Sequence, residues 1–131
     1  MTTNTIFVYG TLKRGCFNDY MLKDSEFIDE VITKDPYLLI HDSLPFLIKN
    51  SDHEYSTKIK GELYEVTDDV FKKIDKLEGH PTFYTRQCIW VINKGNMVYA
   101  WCYFINDHFV NDIKEYSIIK NGRWEDKWFF H

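Results

Sequence analysis

The sequence is poor in cysteine, has no long apolar run and lacks any concentration of charge of one sign. Each shortage excludes something. Its 131 residues include three cysteines, Cys16, Cys88 and Cys102. They cannot all pair with one another and show no C-x-x-C spacing, so a disulfide framework is not expected and a reduced, cytoplasmic chain is. No apolar stretch approaches the roughly 20 residues that cross a bilayer as a helix. The start, MTTNTIFVYG, enters a strand without the basic opening and apolar segment of a signal peptide. No membrane partner is expected. Sixteen Lys and Arg stand against twenty Asp and Glu, a net charge of −4, and the basic residues are scattered. Nucleic acid is therefore not an expected partner. The five histidines show no H-x-x-x-H spacing, so no metal is expected. There is no internal repeat, low-complexity segment or linker, and residues 1–131 read as one domain.

What is plentiful is apolar and aromatic: 44% and 18% of the chain, enough for a respectable core. Ile6 to Tyr9 read as a first buried strand stopped by Gly10, and CFNDYMLKD as one or two helical turns. EFIDEVITKD and YLLIHDSLPFLIKN are β-prone runs broken at Asp35-Pro36 and Ser43-Leu44-Pro45, and STKIKGELYEV alternates as a half-exposed strand does. Thr67, followed by Asp68 and Asp69, is a helix start with a capping hydroxyl and acids on the positive end of the dipole. Val70, Phe71, Ile74 and Leu77 then form one face, and Gly79 ends the helix. FYTRQCIWVI and MVYAWCYFI, joined by NKGN, read as a hairpin. On the second of these strands Tyr99, Trp101 and Tyr103 share one face, and Val98, Ala100, Cys102 and Phe104 the other. The tail begins with a possible short helix and stays aromatic through WEDKWFFH. Several strands with one solid helix make an α+β domain, with a small barrel as the expected architecture.

Two stretches carry candidate chemistry. Gly10-Thr-Leu-Lys-Arg-Gly15 has the outer frame of a phosphate loop, G-x-x-x-x-G. Such a loop needs Lys and then Ser or Thr after its second glycine, and here Cys16 and Phe17 stand there. A nucleotide site is excluded. What survives is either a turn whose successive N–H groups hold a carboxylate or phosphate, or a turn required by chain geometry alone. In DKLEGHPTFYTR, Glu78 falls at the negative end of the helix dipole, unfavourable by roughly 0.3–1 kcal/mol when exposed. Partial burial would raise its pKa further and suit a proton shuttle. The competing reading is a solvated Glu, or one paired with Arg86 or Lys76. His80 is either a base or a surface-turn histidine. Cys16 at a helix start would favour a thiolate, but no histidine adjoins it.

VYGTLKRG, KGELYEV, LEGHPTFYTR and IIKNGRWED, in this order, resemble the gamma-glutamylcyclotransferase-like proteins, in the branch of the AIG2-like and gamma-glutamylamine cyclotransferases. The resemblance runs from about Ile6 to Trp124. It implies a small mixed β-barrel with flanking short helices. It also implies an enzyme that cyclises a small-molecule gamma-glutamyl substrate to 5-oxoproline, releasing the attached amine or amino acid without a cofactor. Carried over by position, Tyr9, Gly10, Thr11 and Leu12 would hold the substrate's α-carboxylate through their backbone N–H groups. Glu78 would be the acid/base, with Tyr84 and Arg86 as pocket or supporting residues. No motif is found in LLIHDSLPFLIKNSDHEYST, the segment toward which a leaving group would extend.

Overall fold

The computed structural model describes residues 3–49, 52–110 and 114–125. Its elements in order are β1 (Thr3–Val8), a 3-10 turn (Asp19–Leu22), β2 (Glu26–Asp42), β3 (Leu44–Ile48), β4 (Thr57–Thr67) and α1 (Asp68–Glu78). Then come β5 (Tyr84–Asn93), β6 (Asn96–Ile105) and 3-10 turns at Asp107–Phe109 and Glu115–Ser117. The sheet runs β3-β2-β4-β1-β6-β5, and β5 pairs back onto β2 through Ile32↔Ile92 and Thr33↔Val91. Five strands thus close a barrel, with β3 as an extra strand on β2. β1 and β6 are parallel, meeting at Ile6↔Trp101, and the other pairs are antiparallel. This is the α+β barrel expected.

Alternation along the strands divides the core in two. Phe7, Val31, Ile59, Leu63, Val91, Ala100 and Cys102 come from all five barrel strands and pack together, filling the barrel. Ile6, Val8, Tyr64, Val66 and Tyr103 point the other way and pack with Phe71 and Ile74 of α1. Burying those two helix side chains contributes about 1.5–3 kcal/mol each. The helix begins as expected, Thr67 Oγ1 accepting from the Val70 N–H at 3.3 Å, and ends at Gly79 with φ +68°. Leu77, expected on the buried face, is instead exposed.

Two strand expectations change. The break at Asp35-Pro36 is an irregularity inside one long strand: β2 runs through it with register shifts on β4 between Phe27 and Asp29 and between Ile32 and Pro36. Buried Thr33 makes this possible, its hydroxyl donating to the Asp35 carbonyl at 2.7 Å and accepting from the Ile59 N–H at 2.9 Å. Displaced ladder groups are thereby satisfied without a strand break. The second break is real, with Ser43 at φ +67°, yet Pro45 lies within β3, tolerated there because β3 has a sheet neighbour on only one side. β4 is half-exposed only at its start. From Gly61 to Tyr64 it is buried on both faces, since β1 and β2 flank it and the Gly10–Gly15 turn folds over it.

The β5–β6 hairpin turns at Lys94 and Gly95, both with positive φ, as a two-residue hairpin loop requires. Trp101 and Tyr103 pack beside the helix, whereas Tyr99 on the same strand face is exposed and lies against Trp90, ring centroids 4.6 Å apart. Trp124 is fully buried in the barrel, its indole N–H donating to His41 Nδ1 at 3.2 Å. The remainder of the aromatic tail, from position 126 onward, lies outside the described residues.

Candidate active site

A cavity of about 300 Å³ opens where β1 ends, between the glycine turn, the start of β3 and the end of α1. Tyr9, Gly10, Thr11, Leu12, Glu78 and Tyr84 all line it, together with Phe17, Asn18, Leu44, Pro45, Leu77, Phe83 and Tyr103. Six of the seven site residues expected from sequence therefore meet in one place. Arg86 does not line this cavity.

The turn is shaped from below. Tyr9 is buried, its hydroxyl donating to the Tyr103 carbonyl at 2.6 Å. A Cβ on Gly10 would come within 2.5 Å of Pro45 Cγ, so the approach of β3 demands glycine here. The Gly10 carbonyl accepts from Lys13 N–H at 3.1 Å and the Thr11 carbonyl from Asn18 N–H at 2.7 Å, while Asn18 Nδ2 also donates to Thr11 Oγ1 at 2.9 Å. Farther along, the Arg14 N–H donates to Glu62 Oε1 at 2.8 Å. No acceptor among the described residues takes the N–H groups of Gly10, Thr11 and Leu12. Consecutive free donors in a turn pinned on both sides are of the kind that can hold an anion.

Glu78 ends α1 half-buried, with protein crowding its carboxyl. Burial raises that carboxyl from 4.5 to about 7, and among the described residues it has no ion-pair or hydrogen-bond partner. The suggested pairing with Arg86 does not form. Arg86 Nε donates to Asp75 Oδ1 at 2.9 Å, and its guanidinium lies 4.1 Å from the Phe71 ring centroid and 4.5 Å from that of Trp101. Asp75 also accepts from the Tyr103 hydroxyl at 2.5 Å. Arg86 thus holds Asp75, and Asp75 holds a cavity-lining tyrosine. Tyr84 donates to the Pro45 carbonyl at 2.8 Å, tying β5 to β3 across the cavity. Burial raises the phenols of Tyr9, Tyr84 and Tyr103, so all three stay protonated.

Other candidates lie elsewhere. His80 accepts from the Arg86 N–H through Nδ1 at 3.3 Å and is absent from the cavity wall. Cys16 lines a separate cavity with Lys13, Arg14 and Glu62. Lys13, within the Gly10–Gly15 turn, is buried and donates to the Trp124 carbonyl at 2.5 Å. Desolvation lowers its pKa. Among the described residues no group of three or more His, Cys, Asp or Glu is placed to hold a metal ion. Asp75, Tyr103, Asn18 and Phe83 were not singled out as site residues from sequence. Tyr103 is hidden by its distance from both motifs, whereas Asp75 and Phe83 lie inside DKLEGHPTFYTR and Asn18 stands three residues beyond Gly15.

The barrel thus carries a cavity in which a turn with free backbone donors meets a Glu that has no partner among the described residues. The chain belongs to the family described as gamma-glutamyl cyclotransferase, AIG2-like, an enzyme family whose model matches residues 6–126. A "Putative gamma-glutamylcyclotransferase" of Methanocaldococcus jannaschii is 40% identical over 101 residues, 76% of this chain and 82% of the relative. Gamma-glutamylaminecyclotransferase C of Danio rerio is 35% identical over 105 residues, 73% of this chain and 68% of that protein. The fold matches the crystal structure of an AIG2-like protein from Mus musculus with a TM-score of 0.78 at 24% identity, covering 95% of this chain and 90% of the other.

Proposed function

We propose that the protein converts a gamma-glutamyl amine or gamma-glutamyl amino acid to 5-oxoproline and the free amine, with Glu78 as general acid/base. One observation carries this reading: a carboxyl raised to about 7 and without a partner among the described residues shares a cavity with N–H groups of Gly10, Thr11 and Leu12 that no described residue accepts from. The substrate's α-carboxylate sits on those donors, which places its α-ammonium beside Glu78. Glu78 in its carboxylate form takes a proton from the ammonium. The freed amine attacks the γ-carbonyl carbon, the ring C–N bond forms, and the bond to the leaving nitrogen breaks as Glu78 returns the proton to it. Ring closure is intramolecular, so the work of the site is to hold the folded substrate in attack geometry, an effect worth up to roughly 7–11 kcal/mol. A carboxyl near 7 serves both proton transfers at neutral pH.

The test is 5-oxoproline release, read by mass spectrometry, from γ-glutamyl-ε-lysine, a γ-glutamyl amino acid and glutathione, with Glu78→Gln alongside. Release by the wild type that collapses in the folded variant is the expected result. Binding without release by well-folded wild type would make the cavity a carboxylate-binding module, and release unaffected by Glu78→Gln would remove the mechanism.

A further inference from the structure

We propose that the protein carries a second binding site behind the Gly10–Gly15 turn, one that takes a small oxyanion, a carboxylate or phosphate borne on an apolar body. The proposal stands apart from the reaction assigned to the first cavity. The site is a separate cavity of about 530 Å³, within the usual size of ligand pockets. It lies between the far side of the turn, β2, β4 and residues 123–125.

Its walls are tied together within the protein itself. The Lys13 ammonium donates to the Trp124 carbonyl at 2.5 Å, joining the turn to residues 123–125. The Lys60 N–H donates to the Gly122 carbonyl at 2.9 Å, joining the same segment to β4. Gly122 has φ +74°, and a Cβ there would collide with the Lys58 carbonyl oxygen, so only glycine lets the segment lie this close to the strand. Val31, Ile92 and the fully buried Trp124 give the cavity an apolar side.

Charge decides the class of ligand. Three acids line the cavity, and two guanidiniums take all three: Arg14 lies 3.6 Å from Glu62 and 3.9 Å from Glu30, and Arg123 lies 3.8 Å from Glu125. Glu62 also accepts from the Arg14 N–H at 2.8 Å and the Tyr64 hydroxyl at 3.1 Å. The remaining two cations, Lys13 and Lys60, have no carboxylate partner among the described residues. Lys60 stands exposed in β4, but Lys13 is only 8% exposed and has one carbonyl for its charge. Desolvation holds the Lys13 pKa below the usual lysine range, so this ammonium gains more from an arriving anion than a solvated one would. A cation would be repelled by both ammoniums, and an uncharged ligand would leave them unmatched. An oxyanion pairs with them through charge-assisted hydrogen bonds while its apolar body covers Val31 and Ile92.

The turn is common to both cavities. Gly10, Thr11 and Leu12 line the first, Lys13, Arg14 and Gly15 the second, and the Lys13 N–H donates to the Gly10 carbonyl at 3.1 Å. An anion held by Lys13 therefore bears on the same turn that presents the free donors.

The experiment titrates the purified chain by calorimetry at low salt, where charge pairing is least screened. The probes are phenyl phosphate, phenylacetate and phenylacetamide, the last being the uncharged match of phenylacetate. At least one anion is expected to bind about tenfold or more tighter than phenylacetamide, and the two anions separate a phosphate site from a carboxylate site. Lys60→Gln, at an exposed strand position, and Lys13→Met should each weaken that binding about tenfold. Thermal unfolding checks that Lys13→Met folds, and Lys60→Gln carries the test alone if it does not. Bound anion should also slow alkylation of Cys16 by iodoacetamide, read on its peptide by mass spectrometry, because Cys16 lines this cavity and not the first. Anion binding that the folded lysine variants leave unchanged, with Cys16 unprotected, would put the anion on the donors of residues 10–12 and overturn the second site. No binding of either anion by folded protein, or phenylacetamide binding as tightly as both, would overturn it equally.

Discussion

Replacing Glu78 with Gln should stabilise the protein in a pH-dependent way while it destroys turnover. A carboxyl held at about 7 in the fold and at 4.5 when unfolded binds its proton more tightly in the native state. Native stability therefore falls as pH rises from about 4.5 to 7, and above 7 the full penalty is present. At 1.36 kcal/mol per pKa unit that penalty is about 3 kcal/mol. Glutamine is nearly isosteric and never charges, so Glu78→Gln recovers this energy at pH 8 and recovers almost nothing at pH 4. For a chain of this length the unfolding entropy is roughly 0.3 kcal/mol per degree, which makes the gain about 10 °C in Tm. Thermal unfolding of both proteins at pH 4 and pH 8 reads it directly. Equal Tm differences at the two pH values, or a variant less stable at pH 8, would mean that the carboxylate is solvated or paired, and the argument for its raised pKa would fall. In the same samples kcat should drop by about 10²–10⁴.

Further expectations follow from the same geometry. The kcat/KM profile should rise with pH through about 7 as Glu78 loses its proton, and an acid limb nearer 4.5 would detach Glu78 from the first step. Gly10→Ala forces a Cβ against Pro45 and should cost about 1–3 kcal/mol in denaturant unfolding while raising KM; unchanged KM would argue against the donor turn as the carboxylate site. Arg86→Lys keeps the charge but loses the flat contact with Phe71 and Trp101 and the directed bond to Asp75, a loss of about 1–2 kcal/mol in chemical denaturation. A raised KM at unchanged stability would return Arg86 to the substrate. Thr33→Val strands the Ile59 N–H and the Asp35 carbonyl and should cost about 2–4 kcal/mol; a neutral result would mean the irregularity in β2 is held by something else.

Local signals wrote much of this protein. The helix from Thr67 to Gly79 follows from a capping hydroxyl, acids in its first turn and a left-handed glycine stop. The hairpin follows from two positive-φ positions at Lys94 and Gly95. Gly10 and Glu78 stood out because each is locally anomalous: a glycine ending a strand, and an acid at the wrong end of a helix dipole. Local signals failed where long-range contacts override them. Asp35-Pro36 reads as a break, yet a hydroxyl two residues earlier and a strand far along the chain absorb it. Nothing local marks Lys13 for burial, yet its ammonium lies buried against the Trp124 carbonyl.

The sequence by itself determined the periodicities, the caps and the turns, because those depend on residues within one helical turn or one hairpin of each other. Only the tertiary structure decided that Glu78 finds no partner among the described residues. Arg86, eight positions away, could satisfy it, and instead Asp75 takes the guanidinium while Phe71 and Trp101 hold it in place. A carboxyl's pKa depends on what surrounds it in space, and barrel closure brings β1, β3 and the end of α1 around one cavity.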